Sequence, residues 1–149
     1  MVFKINIAEP STGKTWKIES ESEAFLEKAI KDKISGKDIS SDFEGYEFEI
    51  TGASDKAGFP SFEEVEGIGL KKLLLGYGKG MHKKSKGLKK KRQRNPKGLR
   101  LRKTVRGKII SPEIIQINLM LLKQGKKYLA EVFPEQNQAK EKAAAPQAQ

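Results

Sequence analysis

From Gly67 to Pro112 the chain carries 17 Lys or Arg residues and not one Asp or Glu. An ordinary solvated face intersperses acids among its bases, and a like-charged block of this length repels itself when compacted. The flanks have the opposite character. Residues 1–66 hold 15 acids and 8 bases, and residues 113–149 hold 4 acids and 5 bases. The net charge of +11 is therefore one block, not a general property of the chain. Residues 83–106 place 13 bases in 24 positions, with Leu88, Leu99, Leu101 and Val105 as the only sizeable apolar side chains. Such a stretch cannot offset its ordering entropy by burial, so its basic part is expected to be mobile on its own. It calls for a polyanionic partner. Phosphates fit, because bound Lys and Arg release condensed counterions. A membrane surface fits less well, since no apolar amphipathic face accompanies the charge.

Around this block the pattern is mostly period two, the mark of half-buried strands. Phe3, Ile5 and Ile7 alternate with Lys4 and Asn6; after a turn at 10–13, Trp16 and Ile18 alternate with Lys17 and Glu19. Residues 2–19 thus read as a hairpin. Ser20-Glu21-Ser22-Glu23 offers a capping box, and Leu26, Ile30 and Ile34 recur at i, i+4, i+8 before Gly36, which predicts an amphipathic helix over about 22–34. Tyr46, Phe48 and Ile50 form the next strand, followed by a turn-rich loop over 51–60. Leu70–Leu75 reads as a short strand, and Gly76, Gly78 and Gly80 as a hinge at the base of a basic arm over about 79–106. Ile115, Ile117, Leu119 and Leu121 form the most apolar strand, and 128–133 a last short one. From Pro134 to Gln149 the composition falls to Ala, Gln, Lys, Glu and Pro, a disordered tail. The expected architecture is mainly β: a small barrel-like β domain with one amphipathic helix over 1–133, the basic extended arm, and a disordered C-terminal tail over 134–149.

Few side chains could do covalent chemistry. The chain has no Cys, which removes thiol nucleophiles, disulfides and zinc–thiolate sites. His82 is the only His and lies inside the basic run, where a contact to phosphate or base suits it better than catalysis. Gly76-x-Gly78-x-Gly80 is neither a dinucleotide fingerprint nor a P-loop. Asp55, Glu63, Glu64 and Glu66 read as a solvated loop rather than a cation site, so neither a metal nor a cofactor is expected. No apolar run approaches 18 residues, so no membrane span is expected, and the start Met1-Val2-Phe3-Lys4-Ile5 lacks the form of a signal peptide. No Phe, Tyr or Trp lies between Tyr77 and Tyr128, so the arm has no rings for stacking on single strands. This favours backbone and shape recognition of folded RNA. The candidate RNA-binding residues are Lys79, His82, Lys83, Lys84, Lys86, Lys89, Lys90, Lys91, Arg92, Arg94, Lys97, Arg100, Arg102, Lys103, Arg106 and Lys108. The alternatives are an RNA-modifying or processing enzyme using the arm to deliver substrate, and a chromatin-type DNA-binding protein.

Three strings carry a family resemblance. Ile50-Thr51-Gly52-Ala53-Ser54-Asp55-Lys56-Ala57-Gly58-Phe59-Pro60 resembles the signature of the S-six-e family of archaeal and eukaryotic small-subunit ribosomal proteins. Ala53 stands in place of that signature's second Gly, and Ser61 in place of its Met. Lys103-Thr104-Val105-Arg106-Gly107 is similar to a second family segment, and the apolar strand at 114–122 with Lys123-Gln124-Gly125 follows as it does there. Met81-His82-Lys83-Lys84 replaces an Arg-rich string of the family's basic loop, and the short chain is similar to archaeal members. The resemblance implies a structural constituent of the small ribosomal subunit, not an enzyme, partnered by small-subunit ribosomal RNA and neighbouring ribosomal proteins. It further implies a cytoplasmic, ribosome-bound location without self-association.

Overall fold

The computed structural model describes residues 2–82 and 98–137. Strands β1 (Phe3–Glu9) and β2 (Lys14–Ser20) form the expected antiparallel hairpin, with Ile5 opposite Ile18 and Ile7 opposite Trp16. The turn closes through the Gly13 N–H, which donates to the Glu9 carbonyl at 2.9 Å. β3 (Lys33–Ser35) pairs with β4 (Glu47–Asp55), and β4 pairs with the long apolar strand β7 (Ile114–Lys123). β7 also lies parallel to β1, with Ile5 beside Ile117 and Ile7 beside Leu119. The order is β2-β1-β7-β4-β3, one five-stranded sheet. Between β4 and β7 in the chain, β5 (Leu70–Gly76) and β6 (Arg100–Arg106) form a separate antiparallel ribbon.

Period-two alternation places Phe3, Ile5, Ile7, Trp16, Phe48, Ile50, Ile117 and Leu119 on one buried face. Phe25, Phe43 and Leu129 close over it from the connecting segments. The Phe43 ring meets Tyr46 and Phe48 edge-on and stacks against Phe133. A smaller cluster of Phe62, Val65 and Val105, with Leu73 and Leu75 half-buried against it, sits under the ribbon.

The sheet does not close into a barrel, because β2 and β3 stand at opposite edges of the order. Alternation marks strands but not which strands pair. Here the segment after β3 folds into two 3-10 turns, Gly36–Asp38 and Ser41–Phe43, instead of a closing strand. The two sides meet through side chains: the Ser20 and Ser22 hydroxyls donate to the carbonyls of Ile39 and Asp38.

The helix expected over 22–34 is absent. Ser22 does cap a turn, accepting from Ala24 N–H, but that turn is a 3-10 segment of three residues, Glu23–Phe25. Glu27 and Lys31 then take positive φ of 65° and 82°, which no helix tolerates. Tertiary partners explain the outcome. Ile30 N–H donates to Lys108, Lys31 N–H to Ile50, and Ile110 N–H to Lys28, so the backbone is drawn into pairing with distant chain. Phe25, Ile30 and Ile34 are still buried, as a helical stripe would have been.

Two further expectations fail for local reasons. β4 runs through residues 51–55, which read as loop, because its bulges at Ile50/Gly52 and Ser54/Asp55 keep it paired with β7. The strand expected at 128–133 is instead the short helix α1 (Leu129–Val132), with Leu129 buried and Val132 and Phe133 half-buried, an i, i+3, i+4 stripe. Phe133 packs against Trp16 and Phe43. Residues 134–137, read as the start of the tail, are tied to the edge of β2. The Gln136 amide accepts from Lys17 N–H and donates to Lys17 O, both at 2.8 Å, and the Asn137 amide donates to Thr15 O at 2.9 Å. A side-chain amide here does what a neighbouring strand would do at an open edge. The rest of the expected tail, 138–149, lies outside the described residues.

Candidate nucleic-acid interface

The ribbon's register divides its side chains by face. Leu73 and Leu75 on β5, with Val105 on β6, point to the small cluster beneath. The opposite face presents Lys72 across from Thr104, Leu74 across from Arg102, and Gly76 across from Arg100. Lys71, Lys72, Arg100 and Arg102 are exposed and Lys103 is half-buried. None of these five, nor Lys79, is in an ion pair among the described residues, although Lys31, Lys37, Lys108, Lys123 and Lys126 all are. The ribbon thus offers cations with no carboxylate neutralising them. Lys71 and Lys72 were missing from the sequence-derived set; the signal was available, since the acid-free window opens at Gly67.

Beyond β5 the glycine-rich stretch is a closed turn rather than an open hinge. Gly78 and Met81 exchange two backbone hydrogen bonds, of 2.8 and 3.1 Å, and Met81 is fully buried. Gly80 has φ of 75°, and a Cβ there would lie 3.0 Å from the Phe62 ring. Lys79 stands over that same ring, its ammonium 5.0 Å from the centroid, which orients an exposed cation at the ribbon's end. His82 is exposed and meets Tyr77 edge-on at 6.0 Å. The nine bases from Lys83 to Lys97 lie outside the described residues.

Arg106 is not part of this exposed array. Its side chain is 8 % exposed, and its Nε donates to Asp55 Oδ2 at 3.0 Å. Its Nη1 bonds the Glu113 carboxylate and reaches the Ile68 carbonyl at 3.4 Å. A charge count treats every guanidinium as available; this one is engaged by two carboxylates and a carbonyl. Lys108 is only partly open and pairs with Glu66 at 3.7 Å. Asp55, read as a loop acid, is 3 % exposed at its side chain and also accepts from Phe59 N–H at 2.8 Å. Glu63 pairs weakly with Lys31 at 4.0 Å. Among the described residues no three His, Asp or Glu side chains converge as a metal site.

Comparison with known proteins assigns a family to the chain that carries this ribbon. The family described as Ribosomal protein S6e matches residues 3–134. The chain belongs to the ribosomal protein S6e family. Relatives named "Small ribosomal subunit protein eS6" agree. That of Methanoculleus marisnigri is 39 % identical, over 93 % of this chain and 98 % of the relative. That of Archaeoglobus fulgidus is 36 % identical, over 93 % and 100 %. That of Nanoarchaeum equitans is 38 % identical, over 90 % and 91 %. An S6e chain is a structural component of the ribosome, so the enzyme alternative falls. No described helix is long and apolar enough to cross a membrane.

Proposed function

We propose that this S6e chain binds and stabilises folded small-subunit ribosomal RNA through its basic arm, of which the β5–β6 ribbon is the rooted part. The observation that carries this is the set of unpaired cations Lys71, Lys72, Arg100, Arg102 and Lys103 on one protruding ribbon, inside a 46-residue window without a single acid. Lys79 and His82 extend the array, and the sequence continues it from Lys83 to Lys97. Neighbouring ribosomal proteins complete its surroundings on a cytoplasmic ribosome, and the chain acts there as a single copy.

The chemistry is charge neutralisation. Where RNA helices pack closely, phosphate repulsion is large, and fixed cations lower it while releasing counterions. Leaving these bases without carboxylate partners avoids an exchange of one ion pair for another on binding. If about eight bases meet phosphates, log K should fall with log salt at a slope of roughly −6 to −7. Co-sedimentation of the chain with small-subunit ribosomal RNA across a salt series measures this. A slope near zero overturns the proposal, and duplex DNA outcompeting the RNA at equal phosphate favours the chromatin alternative.

A further inference from the structure

We infer that Asp55 and Glu113 act as positioning residues for the RNA-binding ribbon: by holding Arg106 they fix the direction in which the ribbon leaves the sheet. This rests on the ribbon being the RNA-binding element.

A two-stranded ribbon with one open face is marginal by itself. No ladder joins β5 or β6 to the five-stranded sheet, so the ribbon's tilt is set at its root. There Arg106 N–H donates to Pro60 O and Phe62 N–H donates to Arg106 O, both at 3.0 Å; Gly107, Lys108 and Ile109 N–H donate to Gly69, Val65 and Gly67 O; and Phe62, Val65 and Val105 form the small buried cluster. Arg106, the last residue of β6, fixes the tilt by tying three separate segments together. Its Nε reaches Asp55 at the end of β4, and its Nη1 reaches Glu113 just before β7 and the Ile68 carbonyl just before β5. A planar guanidinium bonded along two edges resists rotation as well as separation. Asp55 is itself oriented, because its second oxygen takes the Phe59 N–H. Gly107, the next residue, must lack a side chain, since a Cβ there would lie 1.9 Å from Gly67 O.

Two of the strings noted in the sequence meet in this one pair. A buried ion pair contributes little net stability against an apolar replacement; the role inferred for this one is to specify one arrangement over others. The arrangement matters here because a ribbon already aimed loses less freedom when RNA binds.

The test is Asp55→Asn in the full chain, which keeps an oxygen for Phe59 N–H while removing the charge that holds Arg106. It pits two signs against each other. The variant is more positive by one charge, so if Asp55 merely restrains a phosphate-binding arginine, RNA binding tightens. If Asp55 aims the ribbon, binding to small-subunit ribosomal RNA weakens by about tenfold at an unchanged salt slope. Amide hydrogen exchange should then quicken in 70–76 and 100–106 but not in 3–9 and 114–123. Unchanged or tighter binding overturns the inference, as does exchange that quickens equally in the main sheet. Glu113→Gln, at a carboxylate 67 % exposed, should act in the same direction more weakly and guards against a folding failure at Asp55. A wild-type slope near zero would instead remove the RNA-binding reading, and the exchange pattern would still decide whether the pair fixes the ribbon.

Discussion

The five-stranded body and the β5–β6 ribbon handle charge differently. On the body, acids are interspersed among the lysines and some of them pair: Lys123 reaches Glu47 at 3.7 Å, and Lys37 and Lys126 both reach Glu44, at 3.3 and 3.4 Å. The Glu44 carboxyl is held below its ordinary range, first by the hydrogen bond from Lys37 and then by the charge of Lys126. Exposed pairs of this kind contribute little to stability. Their effect is to leave that surface locally neutral. Among the described residues the ribbon's exposed cations have no carboxylate partner, and its paired cation is the buried Arg106. The two regions also differ in what holds them: among the described residues the body buries 17 hydrophobic residues in one cluster, and the cluster under the ribbon has three, of which only Val105 is the ribbon's own. Folding is invested in one part and charge in the other, so substitutions should separate them.

The largest effect belongs to the body. Phe48 is fully buried, with the Phe43 and Tyr46 rings against it. Phe48→Ala should destabilise the fold by about 3–5 kcal/mol, the usual loss for a truncated core aromatic. Chemical denaturation measures it. Below the unfolding transition, the salt slope of RNA binding should match that of wild type. A shallower slope would break the comparison, since it would mean that the body's packing shapes the cationic surface.

The converse substitution is Arg100→Glu with Arg102→Glu, both exposed on β6. Removing two phosphate contacts should make the salt slope shallower by about 1.5 to 2 and weaken RNA binding by at least about tenfold at moderate salt. The thermal transition should stay in place, because neither side chain packs in either cluster. Wild-type affinity would remove the ribbon from the interface; a lost transition would show that its charges serve the fold.

That division was half legible in the sequence. Strands β1, β2 and β7 announce themselves because one face of each is buried and period two records it. The charge block marks where a polyanionic partner is expected, because counting needs no geometry. What failed was anything decided by a distant partner. Leu26, Ile30 and Ile34 are spaced for a helix, yet backbone bonds to Lys108, Ile50 and Ile110 turn the segment into loop and strand. Arg106 looks like its neighbours in the basic run, and only the approach of Asp55, 51 positions away, sets it apart. Local pattern reports which residues want burial; it does not report what will satisfy them.

The smallest effect sharpens the comparison through pH. Tyr46 is buried, and its hydroxyl donates to the Lys127 carbonyl. Its phenol is pushed above the ordinary value of 10.0, first by burial and then by the charges of Glu9 and Glu131. A raised folded-state value means that the folded chain holds the proton more tightly than the unfolded chain. The stability this contributes is complete below 10.0 and is lost as pH rises beyond it. Tyr46→Phe forfeits the hydrogen bond, about 1 kcal/mol at neutral pH, and forfeits the alkaline loss as well. The gap between wild type and variant should therefore narrow as pH climbs past the phenol range. Lysine titration affects both chains alike and cancels in the difference. A gap that stays constant into strong alkali would show the phenol to be as free as one in water, and the body to lack the tight aromatic packing that distinguishes it from the ribbon.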